Sequence, residues 1–331
     1  MDAIWFNQGQ VWQPECKLSE ECLIEIFYIH KAICIAMLMT REGTALMRVL
    51  GVALVFATAV SFAVGAQGLA LLDEVRTLRL AGELDDAREK AEQLLESDVE
   101  PAQAIAAHLE LAKIHDRVGL HHNTRPVAEA LQNIDAANEL LEPGDSRSAA
   151  AMQLAYGDYY YRAEMNERVF VRATRYIDTA IEMFRDVGDT RGEADAVHRR
   201  GLIHLQKREL DEARDLFDES LRLDEMDGGR VWFQGEYGRH VGFVYQLSGD
   251  FESALPHYQR SLEARIEAGA IDASMFAATT LAAALVELGR VEEARTHADY
   301  AMSVATRIDS PTGTARAKQV FERIEAASFS R

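Results

Sequence analysis

The chain has 331 residues and a formal net charge of −19, with 48% hydrophobic and 27% charged residues. This composition excludes an intrinsically disordered chain, and the acidic balance argues against nucleic-acid binding, which depends on clustered lysine and arginine. All three cysteines (Cys16, Cys22 and Cys34) precede residue 67, so the remainder of the chain contains neither a disulfide nor a cysteine nucleophile.

The first predicted element is an apolar segment near the start of the chain. Residues 49–66 carry no charge, follow Arg48 and end in small residues, which is the arrangement of a secretory signal peptide; residues 47–66 form a complete signal by themselves. The same stretch also has the length of a short membrane anchor. We therefore expect an exported bacterial protein, located in the periplasm, with anchoring to the inner membrane through residues 49–66 as the alternative. Contact with a membrane is expected only through this segment, if it stays uncleaved.

Residues 1–46 fit neither a signal nor the repeat pattern of the later chain. A signal normally begins a chain, and this stretch contains no clear repeat. We interpret it as an upstream extension outside the working protein, with the native start at Met39 or Met47. Residues 67–331 are expected to form one domain.

From residue 68 onward the chain repeats itself. The clearest copies are 196–224 and 238–264, in which Gly201 aligns with Gly242 and Phe217 with Tyr258. In each copy a small residue is followed by a large one after three positions, a glycine-type turn after seven, an alanine after twelve and an apolar residue after sixteen. Small residues let two helices cross closely, while large residues fill the space between them. Each copy therefore predicts a pair of helices joined by a turn.

This pattern resembles the tetratricopeptide repeat. The spacing of 40–45 residues is similar to that of the long-helix subclass found in kinesin light chains and in bacterial regulatory and sensor proteins. The resemblance covers about residues 68–306 and implies an all-α fold, a right-handed α–α superhelix of about six helix pairs. A capping helix is predicted over Thr312–Ala327, and two longer turns, His121–Pro126 and Asn166–Phe170, interrupt the pattern.

The repeat region carries no strong catalytic motif, so we predict a protein that is not an enzyme and uses no cofactor. Histidines are the only candidates for a metal site. His108 and His115 share a helix face and His121 and His122 follow in the predicted turn, but His115 occupies a packing position of the repeat. Core packing is therefore favoured over metal binding, and no metal is predicted.

In this family the first helix of each unit lines the inner surface, and the resemblance implies that a peptide or protein partner binds there. Chaperone-binding members hold a C-terminal carboxylate with lysine and asparagine, whereas Leu202, Phe243 and Ala283 stand at the corresponding places here, so that subtype is not expected. The candidate groove residues on the inner face are Asp158, Tyr161, Arg162, His198, Leu202, Arg239, Phe243 and Gln246.

These observations lead to two candidate functions. The first is an exported scaffold that binds a peptide or protein segment in its groove. The second is an extracytoplasmic sensory input module, since the architecture is similar to the sensory part of diguanylate cyclases and histidine kinases that contain these repeats.

Overall fold

A computed structural model describes residues 66–124, 127–165 and 170–329. The predictions for residues 1–46 and for the apolar segment 49–66 fall almost entirely outside these ranges. Within them, the chain is helical and contains no strand. Among the same residues, none of the helices is both long enough and apolar enough to cross a bilayer.

Thirteen helices follow one another along the described chain. The first, α1, covers residues 66–81. The others are α2 (Leu84–Glu96), α3 (Pro101–His122), α4 (Ala128–Glu139), α5 (Ser146–Glu164), α6 (Val171–Asp186), α7 (Thr190–Lys207), α8 (Leu210–Met226), α9 (Val231–Leu247), α10 (Phe251–Glu267), α11 (Ile271–Glu287), α12 (Val291–Arg307) and α13 (Pro311–Phe329).

The helices associate as consecutive pairs, from α1 with α2 to α11 with α12, and α13 packs on the last pair. This confirms the predicted superhelix of six helix pairs with a capping helix. In α13 the apolar residues Ala317, Val320 and Ile324 are buried against the last pairs. Its charged residues Arg316 and Lys318 face solvent, as the sequence predicted.

The repeat motif corresponds to one close contact in each pair. A Cβ atom added at Gly201 would lie 2.7 Å from Cε1 of Phe217, and one added at Gly242 would lie 2.5 Å from Cε1 of Tyr258. Both aromatic side chains are fully buried. The residue sixteen positions after the glycine therefore fills the space between the helices, and the glycine is needed because no side chain fits beneath the ring.

The packing role predicted for the residue three positions after the small one is only partly correct. Leu285 in the sixth pair is 1% exposed. Tyr160, His204 and Tyr245 are only half-buried. They lie at the edge of their pairs because the buried position is already taken by the residue from the second helix.

The first helices of the pairs form the inner layer of the array. Contacts join α3 to α5, α5 to α7 and α7 to α9, whereas the second helices contact mainly the first helices on either side of them. An array in which one set of helices lies closer together curves toward that set. We name the helices α3, α5, α7, α9 and α11, together with α13, the inner wall.

The curved array returns on itself. Helix α13 contacts α3, and Leu120 of α3 packs against the apolar core of the fifth and sixth pairs. Arg117 Nε lies 3.1 Å from Asp272 Oδ2, at the start of α11. The second pair thus touches the sixth pair and the capping helix, which closes the inner wall.

Candidate functional site

Ion pairs connect successive helices of the inner wall. Arg162 Nε lies 2.7 Å from Asp116 Oδ1, which joins α5 to α3. Arg199 Nε lies 2.7 Å from Asp158 Oδ1, which joins α7 to α5. All four side chains are partly shielded from solvent. The wall is therefore polar, but its charges largely neutralise one another.

The predicted residues of the third pair lie on this wall. Asp158 and Arg162 take part in these ion pairs, and Tyr161 stacks on Phe170 with ring centroids 5.5 Å apart. Burial raises the pKa of Tyr161 above its ordinary value, so the hydroxyl is neutral and acts as a hydrogen-bonding group. All three side chains are half-buried, and their contact with a partner stays a prediction.

Two predicted groove residues are instead buried. His198 is 2% exposed and Leu202 is 7% exposed. Leu202 belongs to an apolar cluster with Phe217 and Val241, because the fourth and fifth pairs stack on this face of α7. Neither side chain is available to a partner in this conformation, and this part of the groove prediction is corrected.

The predicted residues of the fifth pair are held by one another and by the second helix. Gln246 Oε1 accepts a hydrogen bond of 2.6 Å from the hydroxyl of Tyr258, so its side chain is directed into the helix pair. Phe243 contacts the same ring edge to face, with centroids 5.8 Å apart. The guanidinium of Arg239 lies over Phe243, with Cζ 4.9 Å from the ring centroid.

Sequence reasoning missed a chain of hydrogen bonds that begins at Arg239. Arg239 Nη1 lies 2.9 Å from His240 Nε2, and His240 Nδ1 lies 2.9 Å from His198 Nε2. His198 Nδ1 then lies 3.3 Å from the hydroxyl oxygen of Ser220, which donates to the carbonyl of Phe217 at 2.7 Å. The chain runs from the inner wall into the contact between the fourth and fifth pairs.

The direction of this chain follows from its two ends. Arg239 can only donate, so His240 Nε2 accepts and Nδ1 carries the proton. That proton is donated to His198 Nε2, and His198 Nδ1–H is donated to Ser220. Burial, reinforced by the charge of Arg199, lowers the pKa of His198 to about 3. Burial and the adjacent Arg239 hold the pKa of His240 well below its usual value. Both imidazoles are therefore neutral, as this order requires.

The same histidines form the one group of possible metal ligands that converges within the described ranges, with ligand atoms of His198, Glu236 and His240 within 4.8 Å of one another. A metal bound to His240 Nδ1 would require a proton on Nε2, which would then face the N–H of Arg239. Glu236 Oε1 also receives Arg265 Nη2 at 2.6 Å. The contacts therefore favour the hydrogen-bonded chain at this point over a metal ion.

The architecture defines the class of protein, an α-helical solenoid whose repeats surround a polar inner wall. Models of the tetratricopeptide repeat match residues 194–225 and 237–307, which span the fourth to sixth helix pairs. Residues 194–307 therefore carry tetratricopeptide repeats.

Known proteins share this architecture. The chain is 26% identical over 174 residues to the regulatory protein RapG of Bacillus subtilis, an alignment that covers 51% of this chain and 44% of that protein. The chain thus matches less than half of the length of this relative.

Similar solved structures include a Rap protein complexed with competence and sporulation factor, with a TM-score of 0.52 and 12% identity over 80% of this chain and 88% of that one. NprR in complex with its cognate peptide NprX matches with a TM-score of 0.53 and 12% identity, over 88% of this chain and 81% of that one. A signal transduction ATPase with a tetratricopeptide repeat sensor, from Pyrococcus horikoshii, matches with a TM-score of 0.56 and 16% identity, over 95% of this chain and 44% of that one. These likenesses establish the shared fold.

Proposed function

We propose that this chain is a non-enzymatic scaffold that binds an extended peptide or protein segment against its inner wall. The observation that carries the proposal is the wall itself: six helices place arginines, carboxylates and half-buried aromatic rings around a concave surface that closes on itself through Arg117 and Asp272. Hydrogen-bonding groups next to aromatic surface suit a peptide, which offers backbone amides together with side chains.

Relatives of the same fold support a peptide ligand. One solved structure holds a Rap protein complexed with competence and sporulation factor, and another holds NprR with its cognate peptide NprX. These complexes support a peptide ligand for the fold. Because the identity to them is only 12%, the residues that select a peptide have to be found in this chain.

Photo-cross-linking tests the location of the partner. We expect p-benzoylphenylalanine at position 161 of the full chain to form covalent adducts with a peptide or protein in the producing cells, to be identified by mass spectrometry. The matched control places the same group at Ile266, which is 48% exposed near the end of α10, a second helix of its pair. Adducts of equal yield and identity at both positions would remove the inner wall as the binding site.

Export is part of the proposal and rests on the sequence of residues 47–66 alone. An exported scaffold would meet its partner in the periplasm, either free or held at the inner membrane by residues 49–66.

The second candidate function is a sensory input module, and the closed inner wall favours it. A ligand that enters the wall would have to be accommodated by contacts such as Arg117–Asp272, which offers a two-state element that a ligand can bias. The similar ATPase carries its repeats as a sensor. Spin labels on α4 and α12 would separate the candidates: a ligand-dependent change in their distance supports a sensor, and an unchanged distance with a bound partner supports a scaffold.

A further inference from the structure

We infer that the contact of Arg117 with Asp272 is a latch, at which the closed array opens while its helix pairs stay folded. We call the surrounding contact, of α3 with α11 and α13, the closing seam. An open seam gives a ligand access to the inner wall from the side, and this role of the latch rests on the proposed function. The opening itself requires no ligand.

The latch has the same chemistry as the ion pairs that join neighbouring helices of the inner wall. In each of these pairs a carboxylate of one first helix contacts an arginine on, or directly before, the next one. They are Asp116–Arg162, Asp158–Arg199 and Asp195–Arg230, with N–O distances of 2.7, 2.7 and 2.9 Å. Asp272 and Arg117 repeat this order from α11 to α3, at 3.1 Å. The charge pairs therefore continue across the closing seam.

The closing seam differs from the joints between neighbouring pairs in its apolar contacts. Ile177 and Ile203 belong to one buried cluster across the third and fourth pairs, and Phe217 and Val241 to another across the fourth and fifth. Among the described residues of the second pair, Leu120 is the one that joins the apolar cluster of the fifth and sixth pairs, and it is only half-buried. Breaking an ion pair inside the wall therefore leaves its joint held by apolar burial, whereas breaking the latch removes a large part of what holds the seam.

Polar groups at the closing seam are incompletely paired. His121 Nε2 and Asp272 Oδ2 are buried, lie 3.5 Å apart and have no partner at hydrogen-bonding geometry. When the seam opens, water satisfies both atoms and hydrates the charges of Arg117 and Asp272, which offsets part of the lost attraction. The stacking of His121 on Phe276 at 5.9 Å and its contact with Ser310 at 2.8 Å favour the closed form.

A cleft lies beside the seam, where the first pair approaches the sixth. It has a volume of about 350 Å³ and separates the turn after α1 from the sixth pair. Its lining residues are Ala81, Gly82, Glu83, Ile271, Arg307 and Ile308. Side chains that line a cleft lack the dispersion contacts of a closely packed joint. We therefore expect the array to open here before it opens between neighbouring pairs.

Distances between spin labels test the latch with the full chain and without a ligand. Labels at Gln132→Cys on α4 and Ser303→Cys on α12, two exposed positions, report the separation of the second and sixth pairs once the three native cysteines are replaced by serine. We expect Arg117→Gln to raise the ratio of open to closed chains roughly a hundredfold, because removing one partner of a buried ion pair leaves the other charge unpaired. Arg162→Gln is the matched control: it breaks a partly shielded pair inside the wall and should leave the distance unchanged.

Thiol labelling tests the same opening in a chain that keeps Arg117 and Asp272. Ser310, at the closing seam, is 1% exposed and lies 2.8 Å from His121 Nδ1. Ser220, between the fourth and fifth pairs, is 0% exposed and lies 3.3 Å from His198 Nδ1. Ser310→Cys should react with a maleimide at least about tenfold faster than Ser220→Cys, since a local opening costs less than the separation of folded pairs. This comparison decides the matter if Arg117→Gln does not fold.

The outcomes separate the latch from the proposed function. A longer distance in Arg117→Gln alone, with helical circular dichroism retained, supports the latch. The same distance in both arginine variants, or equal labelling of the two serine variants, overturns it. Neither measurement includes a ligand, so a failed latch leaves the peptide-binding proposal, tested by cross-linking at position 161, as it stands. A seam that opens in a chain without a cross-linked partner retains the latch and overturns the function instead.

Discussion

His121 and Ser310 are 189 residues apart in the chain, and His121 Nδ1 lies 2.8 Å from Ser310 Oγ. Ser310 also receives the N–H of Gly313 at 3.1 Å, which caps the start of α13. Its own proton is thus free for His121 Nδ1, and His121 Nε2 is directed toward Asp272 Oδ2 at 3.5 Å. One histidine in the second pair therefore contacts both the capping helix and the sixth pair, next to the Arg117–Asp272 ion pair.

Removing the charge of Asp272 should destabilise the folded chain. Asp272 is 1% exposed and neutralises Arg117, so Asp272→Asn leaves a shielded arginine without its anion. We expect a loss of about 3 kcal/mol in the free energy of unfolding, measured by urea denaturation. The control Glu293→Gln breaks the exposed pair with Arg290 and should have a much smaller effect, because solvent screens that pair. Equal effects of the two variants would mean that the closing contact adds no more stability than an exposed ion pair does.

Stability should fall as the pH is lowered from neutrality. The pKa of His198 is about 3 when folded, below its ordinary value of 6.5, so between these values the unfolded chain binds the proton and the folded chain does not. Acidification through this window therefore favours unfolding, by roughly 1 kcal/mol per pH unit for this residue. His240 shifts in the same direction. Stability at pH 7 and at pH 5 should differ clearly in urea titrations.

The variant His198→Asn separates the contribution of the histidines to the pH dependence of stability from that of the carboxylates. Burial by itself would raise the pKa of Asp272, but Arg117 and His121 hold it below its ordinary value, so its contribution is lost only as the pH falls below about 4. His198→Asn should therefore reduce the slope of stability against pH between 5 and 7, where His240 still contributes, and leave the steeper loss below pH 4. An unchanged slope between pH 5 and 7 would show that His198 is not held neutral.

Filling a helix crossing should destabilise its pair. Gly201→Ala places a methyl group 2.7 Å from Phe217 Cε1, so we expect a loss of about 1–3 kcal/mol in the free energy of unfolding. Phe217→Leu removes the ring that causes the clash. The loss in the double variant should be smaller than the sum of the two single losses, by about 0.5 kcal/mol or more. Strict additivity would contradict the assigned contact.

The mature N-terminus tests export. N-terminal sequencing of native protein should start at Gln67 if the signal is cleaved. A membrane-bound form that retains residues 49–66 would support the anchor instead. Recovery of tryptic peptides from before Met39, in a form that is not exported, contradicts both the signal and the proposed start.

The sequence predicts the fold well because the residues that repeat are the ones that pack the two helices of each pair together. Glycine opposite a large residue, at a constant spacing, determines which helices pair, and α13 follows from the apolar spacing of Ala317, Val320 and Ile324. The end of α3 was misplaced. The helix continues past Gly119 to His122, and Asn123 takes the left-handed conformation at φ 58°, so His121 belongs to an extra helical turn and not to a loop.

The candidate site was harder to predict, because it depends on contacts between repeats. His198 and Leu202 have the register of inner-face residues, yet the stacking of neighbouring pairs buries them. His198 and His240 differ by 42 positions against a repeat offset of 41, which was a signal that they lie on adjacent helices. The return of the array to α3 has no local signature, since it depends on the summed rotation of every pair.

The contact of the second helix pair with the sixth pair and α13 constrains how many repeats the chain can have. In an open array each repeat contacts only its neighbours, so a unit can be added or lost with local effects. Here one additional helix pair would carry Asp272 and Ser310 away from Arg117 and His121. Insertion or deletion of a whole unit would therefore break the ring, and the repeat number is constrained by geometry in the way that blade number is in a closed propeller.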